Sequence, residues 1–350
     1  MGDVYPVVRV AAVQAASPLN DRDGATDKAC ALIAEAGRDG AKLIVFPEGF
    51  IPSHPNWFHH HLATGRQAAE FNVELFKNAV EIPGPVTERL GKAAREAGST
   101  VVMGVCERPH GSLGTLFNTQ VYIGPDGIVI GKHQKLMPSS AERLVHLGGH
   151  GDTLGTFPTE FGPMSSLICG ENNNPLAVFA LAAGRTRIHA MSWPPYVSPT
   201  AASVRNIADL ASRNFATVAG AFVVSACGVL SDANLDEMDV SQEHREWLRR
   251  PEATGGSMIV DPLGRIVAGP SGNHEGILYA DCDLELCVRR NIARDFVGHY
   301  NRADVFHLTI NSEAPVLHSR TGAAKLGEGW QESSRDEEEA HSSAKPPSLI

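Results

Sequence analysis

No apolar run in this sequence approaches the roughly 18 residues that a membrane-spanning helix requires. Base is scarce relative to acid: 30 Lys and Arg face 40 Asp and Glu, for a net charge of -10. Phosphate binding needs a basic face, so this balance argues against nucleic acid as the main partner. The six cysteines (Cys30, Cys106, Cys169, Cys227, Cys282 and Cys287) form no C-x-x-C pair. In a chain of 350 residues they read as reduced thiols held mostly in the core, not as a disulfide framework. The first six residues lack the basic stretch and apolar stretch of a signal peptide. Position 6 is Pro, where myristoylation needs Ser or Thr. The expectation is a cytoplasmic protein with no membrane partner.

What is present is an ordinary globular composition, 43% hydrophobic and 20% charged. Strand and helix patterns alternate at the start. Val8 to Gln14 reads as a strand, Ala25 to Gly37 as an amphipathic helix, and Lys42 to Glu48 as a buried strand run bounded by Gly40 and Pro47. Helical patterns follow over 67–80 and 86–97, then a strand over 100–107. Two hairpins stand out, at 118–131 around Asp126-Gly127 and at 257–268 around Asp261 to Gly264. They suggest two similar halves, each contributing a sheet. Strands are expected at 164–169, 188–193 and 221–227, and helices at 175–183 and 200–217. Residues 232–250 read as a charged insertion with weak helical character. From Glu313 to Ile350 large apolar residues are few, so residues 1–312 form the expected domain and 313–350 a disordered acidic tail.

Three reactive side chains end or follow apolar strand runs, where functional groups of α/β sheets collect. Glu48 closes Leu43 to Pro47, Lys135 follows Ile128 to Ile130, and Cys169 closes Met164 to Ile168. A carboxylate can take the thiol proton, the thiolate can attack, and the ammonium can stabilise the charge that develops. Asn174 suits a helix N-cap and Pro175 the first helical position. A thiol just ahead of that terminus is expected to feel the positive end of the dipole, which pulls its pKa toward neutrality. Gly170 would allow the sharp turn that exposes the sulfur. Taken singly, each residue also has a bland reading: a core thiol, a solvated strand-end carboxylate, a surface lysine.

The segments together resemble the nitrilase superfamily. Phe46-Pro47-Glu48 resembles its first motif, with Glu48 as general base. Lys132 to Pro138 resembles the second, in which the lysine three residues before the proline is catalytic, which selects Lys135 over Lys132. Leu167 to Asn172 resembles the third, with Cys169 as nucleophile. The stretch Ala141 to Leu144 resembles the one carrying a second glutamate, Glu142, which orients the lysine. The motifs arrive in family order, and the similarity covers roughly residues 6 to 310. The resemblance implies a four-layer α-β-β-α sandwich. The stretches 138–145 and 298–304 are similar to the nitrilase branch. One departure is Gly170, where that branch often has Trp, so substrate preference does not carry over.

The expected activity is hydrolysis of a small-molecule organic nitrile to the carboxylic acid and ammonia, without a cofactor or metal. The enzyme would work as a homo-oligomer, a dimer or larger, as the resemblance implies. The alternatives are an amidase or ureidase of the same superfamily, a nitrile-hydrating enzyme, or a catalytically silent scaffold. Phe50, Trp57, Trp193 and Tyr196 are candidates for an apolar pocket wall, against ordinary core. His59-His60-His61 invites a metal reading, but consecutive residues share no helix face and no second cluster has ligand spacing. A loop or pocket-rim role for Asn56 to His61 is expected instead. A papain-like Cys–His mechanism lacks its signatures around the cysteines, and no phosphate-binding Gly-rich loop is present.

Overall fold

The computed structural model describes residues 2–196, 203–314 and 316. In chain order these give β1 (Val7–Gln14), α1 (Arg22–Arg38), β2 (Leu43–Val45), α2 (Arg66–Asn78), α3 (Pro85–Ala97), β3 (Thr100–Glu107), β4 (Phe117–Ile123), β5 (Val129–Gln134), β6 (Thr156–Thr159) and β7 (Gly162–Ile168). Then come α4 (Pro175–Ala183), β8 (Ile188–Trp193), α5 (Val204–Ala219), β9 (Phe222–Cys227), α6 (Asp232–Glu237), α7 (Gln242–Leu248), β10 (Met258–Val260), β11 (Ile266–Ala268), β12 (Gly276–Asp283) and α8 (Glu285–Ala293).

The strands form two six-stranded sheets, ordered β12-β1-β2-β3-β4-β5 and β11-β10-β9-β8-β7-β6. The two halves follow one plan. Three parallel strands, β1-β2-β3 or β7-β8-β9, continue into an antiparallel pair, β4-β5 or β10-β11. The two hairpins expected from the sequence are those pairs. The remaining edges are closed by β12 on β1 and β6 on β7, both antiparallel.

Strand periodicity sorts the apolar side chains into layers. Val8, Val10 and Ala12 of β1 face the second sheet, with Leu43, Val45, Ile188, Ala190 and Val224. Ala11 and Val13 face outward and pack with Ile33 of α1 and Leu90 of α3. On the far side, Met191 and Val223 pack with Leu181 of α4 and Phe215 of α5. The result is the expected α-β-β-α sandwich. Each Val, Leu, Ile, Met or Phe among them, withdrawn fully from water, contributes about 1.5–3 kcal/mol. No helix among the described residues is long and apolar enough to cross a membrane.

Helices fall close to their expected ranges. The charged stretch 232–250 holds α6 and α7, which pack Leu235 and Leu248 against Trp57. Residues 200–202 of the expected helix lie outside the described residues, as does nearly all of the expected tail. The topology also places the reactive groups. Two antiparallel steps from β3 bring β5 back parallel to β2, so Glu48 and Lys135 leave the same edge of the first sheet. Cys169 follows β7 in the second sheet.

Candidate active site

Glu48 is set by a close crossing of chains. Beyond β2, the Phe46 N–H donates to Val102 O at 2.9 Å and the Glu48 N–H to Trp193 O at 3.2 Å, so the segment bridges both sheets. The crossing needs Gly104: a Cβ there would lie 2.1 Å from Pro47 O. Lys135 extends the β4-β5 ladder by one residue, its N–H donating to Asn118 O at 2.8 Å. Glu142 sits in a 3-10 turn, Ser140–Leu144, and accepts from the Ser139 N–H at 2.9 Å.

These elements place Lys135 Nζ 2.7 Å from Glu48 Oε1 and 2.7 Å from Glu142 Oε2. All three side chains are buried. The amide of Asn118 donates to both carboxylates, at 2.7 Å to Glu48 Oε1 and 2.7 Å to Glu142 Oε1. His146 Nδ1 lies 3.2 Å from Glu142 Oε1, and His54 Nε2 lies 3.5 Å from Glu48 Oε1. Every contact to Glu48 falls on Oε1. Its Oε2 is buried and has no hydrogen-bond partner among the described residues.

Burial alone would raise the Glu48 and Glu142 carboxyls, but the Lys135 ammonium outweighs it, helped by His54 and His146 respectively. Both carboxyls end below their ordinary value, Glu142 well below. Burial would lower the Lys135 ammonium, and the two carboxylates instead hold it well above its ordinary value. The trio is therefore ionised. Stability drawn from the carboxylates is complete above their ordinary value of 4.5 and is lost as pH falls through the depressed folded values. Stability drawn from Lys135 is complete below 10.5 and is lost as pH rises through its elevated folded value. The charge pattern should then hold from roughly pH 5 to pH 10. Near-UV circular dichroism should show no transition in that window. An inflection near neutrality that disappears in Glu142→Gln would contradict this electrostatic picture.

Cys169 opens a 3-10 turn, Cys169–Asn173, directly after β7. The strain lies on the cysteine itself, at φ +50, a conformation few non-glycine residues adopt. The turn is braced from behind. Asn172 Nδ2 donates to Cys169 O at 2.9 Å and to Leu167 O at 3.2 Å, while its Oδ1 lies 3.0 Å from His189 Nε2. His189 stacks on Phe215 with ring centroids 3.6 Å apart. Asn174 and Pro175 open α4 as expected, with the Asn174 side chain accepting from Leu176 N at 3.0 Å.

The expected lowering of the thiol pKa does not appear. Burial raises the Cys169 thiol well above its ordinary value, Glu48 and Glu142 add to the rise, and the Lys135 charge and the Gly170 backbone only partly offset it. The five-residue turn separates the sulfur from α4, and the nearest charges include two carboxylates. The thiol is neutral at rest.

Cys169, Glu48, Lys135 and Glu142 line one small cavity of about 70 Å³. Its wall includes Phe58, His59, Pro194 and Tyr196, so one of the four aromatic candidates is in place and the 56–61 stretch supplies a rim. The other three candidates are core residues away from this cavity, although Phe50 also borders a separate void of about 20 Å³ with Glu48 and His54. Phe50 contacts Phe46 at a centroid distance of 5.3 Å, Trp57 stacks on Phe71 and donates to Asn72 at 3.0 Å, and Trp193 packs in the helix-covered layer of the second sheet. Lys132 lies on the opposite face of β5, paired with Glu107. Cys106 is not on the cavity; it is buried, 3.1 Å from His146 Nε2.

The three consecutive histidines do not converge. His59 faces the cavity, His60 Nδ1 lies 3.2 Å from His244 Nδ1, and His61 Nε2 lies 2.7 Å from Met238 O. Burial and neighbouring histidines lower the His59 pKa to about 3 and that of His60 to about 4, so these two are neutral at neutral pH. Glu48, His54 and Glu142 are spaced as three ligands could be, but the Lys135 ammonium already bridges the two carboxylates. Sequence reading missed Asn118, His54 and His146, because nothing in their local patterns marks them. Only the fold brings them to the carboxylates.

A buried Glu–Lys–Glu cluster beside a strained cysteine, at the rim of two stacked sheets, agrees with the comparisons with known proteins. Residues 9–291 match the carbon–nitrogen hydrolase family model, and the chain belongs to that family, within the nitrilase superfamily. It is 40% identical over 311 residues to an aliphatic nitrilase of Sinorhizobium fredii (strain HH103), covering 87% of this chain and 96% of that protein. It is 37% identical over 313 residues to nitrilase 1 of Arabidopsis thaliana, covering 87% of each. Among solved structures, Saccharomyces cerevisiae Nit3, a member of branch 10 of the nitrilase superfamily, superposes with a TM-score of 0.62 at 21% identity. That match covers 82% of this chain and 94% of that one.

Proposed function

We propose that the chain hydrolyses an organic nitrile, R–CN plus two waters giving R–COOH plus ammonia, with Cys169 as nucleophile, Glu48 as general base, Lys135 as charge stabiliser and Glu142 holding Lys135. The observation that carries this reading is the cavity that all four side chains line, with Glu48 Oε2 left without a hydrogen-bond partner among the described residues. The identities with nitrilases over most of the chain support nitrile as the substrate class.

An ionised, depressed carboxylate is a weak base for a thiol whose pKa is raised. A standing thiolate is therefore not formed. Proton transfer from Cys169 to Glu48 becomes favourable only as sulfur adds to the nitrile carbon and charge passes to nitrogen. That charge is where an ammonium stabilises most. Glu48 passes that proton to the nitrogen, which gives a thioimidate and restores the carboxylate. Glu48 then takes a proton from water as it adds. Glu48 gives that proton to the nitrogen, which leaves as ammonia; a second water, deprotonated by Glu48 in the same way, releases the acid from the thioester, and the proton returns to the sulfur. Lys135 remains protonated throughout, since both carboxylates hold it so.

Incubating the protein with a nitrile panel and an amide panel while assaying ammonia and carboxylate tests the assignment. Acid and ammonia from a nitrile, with little turnover of the matching amide, are expected. Turnover of amides alone would make the chain an amidase, amide as the main product a nitrile-hydrating enzyme, and silence on both panels a scaffold.

We further propose that residues 1–312 are the hydrolase domain, that 313–350 form a disordered acidic tail, and that the chain works as a homo-oligomer. A chain ending at Ala314 is expected to keep its melting temperature and remain larger than a monomer on size-exclusion chromatography with light scattering. A large fall in melting temperature would show that the tail packs.

A further inference from the structure

Glu171 is two residues past the nucleophile, 8% exposed, and unused in the chemistry above. Its carboxylate is fully engaged. Oε1 accepts from the Leu136 N–H at 2.6 Å, Oε2 accepts from the Ile168 N–H at 3.1 Å, and Oε2 also lies 3.0 Å from His133 Nε2. The two N–H groups are informative. Leu136 follows Lys135 directly, and Ile168 precedes Cys169 directly. One carboxylate therefore joins the peptide after the lysine to the peptide before the nucleophile.

Those peptides belong to different sheets. Lys135 extends β5, the edge strand of the first sheet, and Cys169 extends β7 in the second. At a sheet edge no ladder fixes the distance between the two. His133 shares its strand with Lys135 and is itself buried, with Nδ1 3.2 Å from Thr153 O. It holds the carboxylate on the first-sheet side.

We propose that Glu171 is a positioning residue: it staples the lysine-bearing strand end to the cysteine-bearing strand end and so sets where Lys135 stands relative to the attacking sulfur. The inference rests on the reading that Cys169 and Lys135 act on the same reacting atoms. A staple of this kind affects the transition state more than substrate binding, because the misplaced groups meet only as the covalent bond forms. A displacement on the order of 1 Å costs about a hundredfold in rate.

The test is steady-state kinetics of Glu171→Gln and Glu171→Asp, with the folded fraction taken from circular dichroism. Gln preserves the length but has one acceptor oxygen in place of two. Asp preserves the charge but is one methylene too short to span both peptides. Both should lower kcat about 10- to 100-fold while KM stays within about threefold, with the folded fraction unchanged. Equal damage from Gln and Asp supports span over charge. A wild-type kcat in Glu171→Gln, a loss confined to KM, or a loss that tracks the folded fraction overturns the proposal. If Glu171→Gln does not fold, Glu171→Asp decides alone: a fall in kcat at constant KM in the folded protein supports the staple, and an unchanged kcat overturns it. The constants are read on whichever substrate the wild type turns over. An enzyme active only on amides would correct the proposed function and leave this result interpretable.

Discussion

Cys169→Ala is expected to abolish nitrile turnover, by a factor on the order of 10⁴ or more, while the melting temperature barely moves. The covalent route has no substitute for the sulfur, because none of the other five thiols lines the cavity. The structural cost is small. Ala removes one buried atom, the strained backbone at φ +50 is no worse for Ala than for Cys, and the Asn172 brace contacts only backbone at this position. Cys169→Ser should be nearly as inactive, since the hydroxyl is a poorer nucleophile and the resting site already disfavours the anion. Cys106 is the internal control. Its sulfur contacts His146 behind Glu142, so Cys106→Ser, which keeps a hydrogen-bonding group there, should retain activity within several-fold. Hydrolysis by Cys169→Ala above a mock-purified control, or loss of activity in Cys106→Ser alone, would move the nucleophile elsewhere.

Lys135→Arg is expected to lose on the order of a hundredfold or more in rate, since one preorganised charge stabiliser is worth about 3 kcal/mol. The ammonium fits between two carboxylate oxygens at 2.7 Å each and also borders the cavity. A planar guanidinium keeps the charge, but its fork needs more room and presents its donors in a different arrangement. Arg is the cleaner substitution. Lys135→Ala leaves two buried carboxylates without a cation, and breaking a buried pair in that way costs about 3–5 kcal/mol, so lost activity would be mixed with lost fold. Lys132→Ala should keep its activity. Lys132 faces the other way, and Glu107 retains Thr119 at 2.7 Å and Gln134 at 2.9 Å. A near-wild-type Lys135→Arg would make the residue a distant counter-ion. An inactive but folded Lys132→Ala would place the site on the wrong face of β5.

Much of this arrangement is legible along the chain. The reactive groups at the ends of β2 and β7 and just beyond β5 are visible because a titratable or nucleophilic residue closing an apolar run is a local pattern. The hairpins were marked by Asp-Gly and Asp-Pro-Leu-Gly turns. Other parts have no local pattern to read. β12 is defined only by its partner, with Val7 opposite Asp283 and Gln14 opposite Gly276 across almost the whole chain. β6 is four residues beside a turn. Asn118, His54 and His146 matter because strands far apart in sequence bring them to two carboxylates; Glu171 lies within the third motif, but its reach to two peptides is set by the fold. Three of the four expected wall residues are core because large aromatic residues near motifs are usually buried in packing, and the chain instead lines the cavity with Phe58, His59 and Pro194. The thiol pKa was expected on the wrong side because sequence shows the helix start ahead of Cys169. It does not show the five-residue turn in between or the carboxylates facing the sulfur.

The most direct measurement of the central claim is mass spectrometry of the protein quenched with acid during nitrile turnover, followed by peptide mapping. The account expects a covalent adduct of thioimidate or thioester mass on the peptide holding Cys169, present in Glu48→Gln only at a reduced rate of formation and absent in Cys169→Ala. An adduct on a different cysteine, or nitrile turnover with no adduct under conditions where deacylation is slowed, would contradict it.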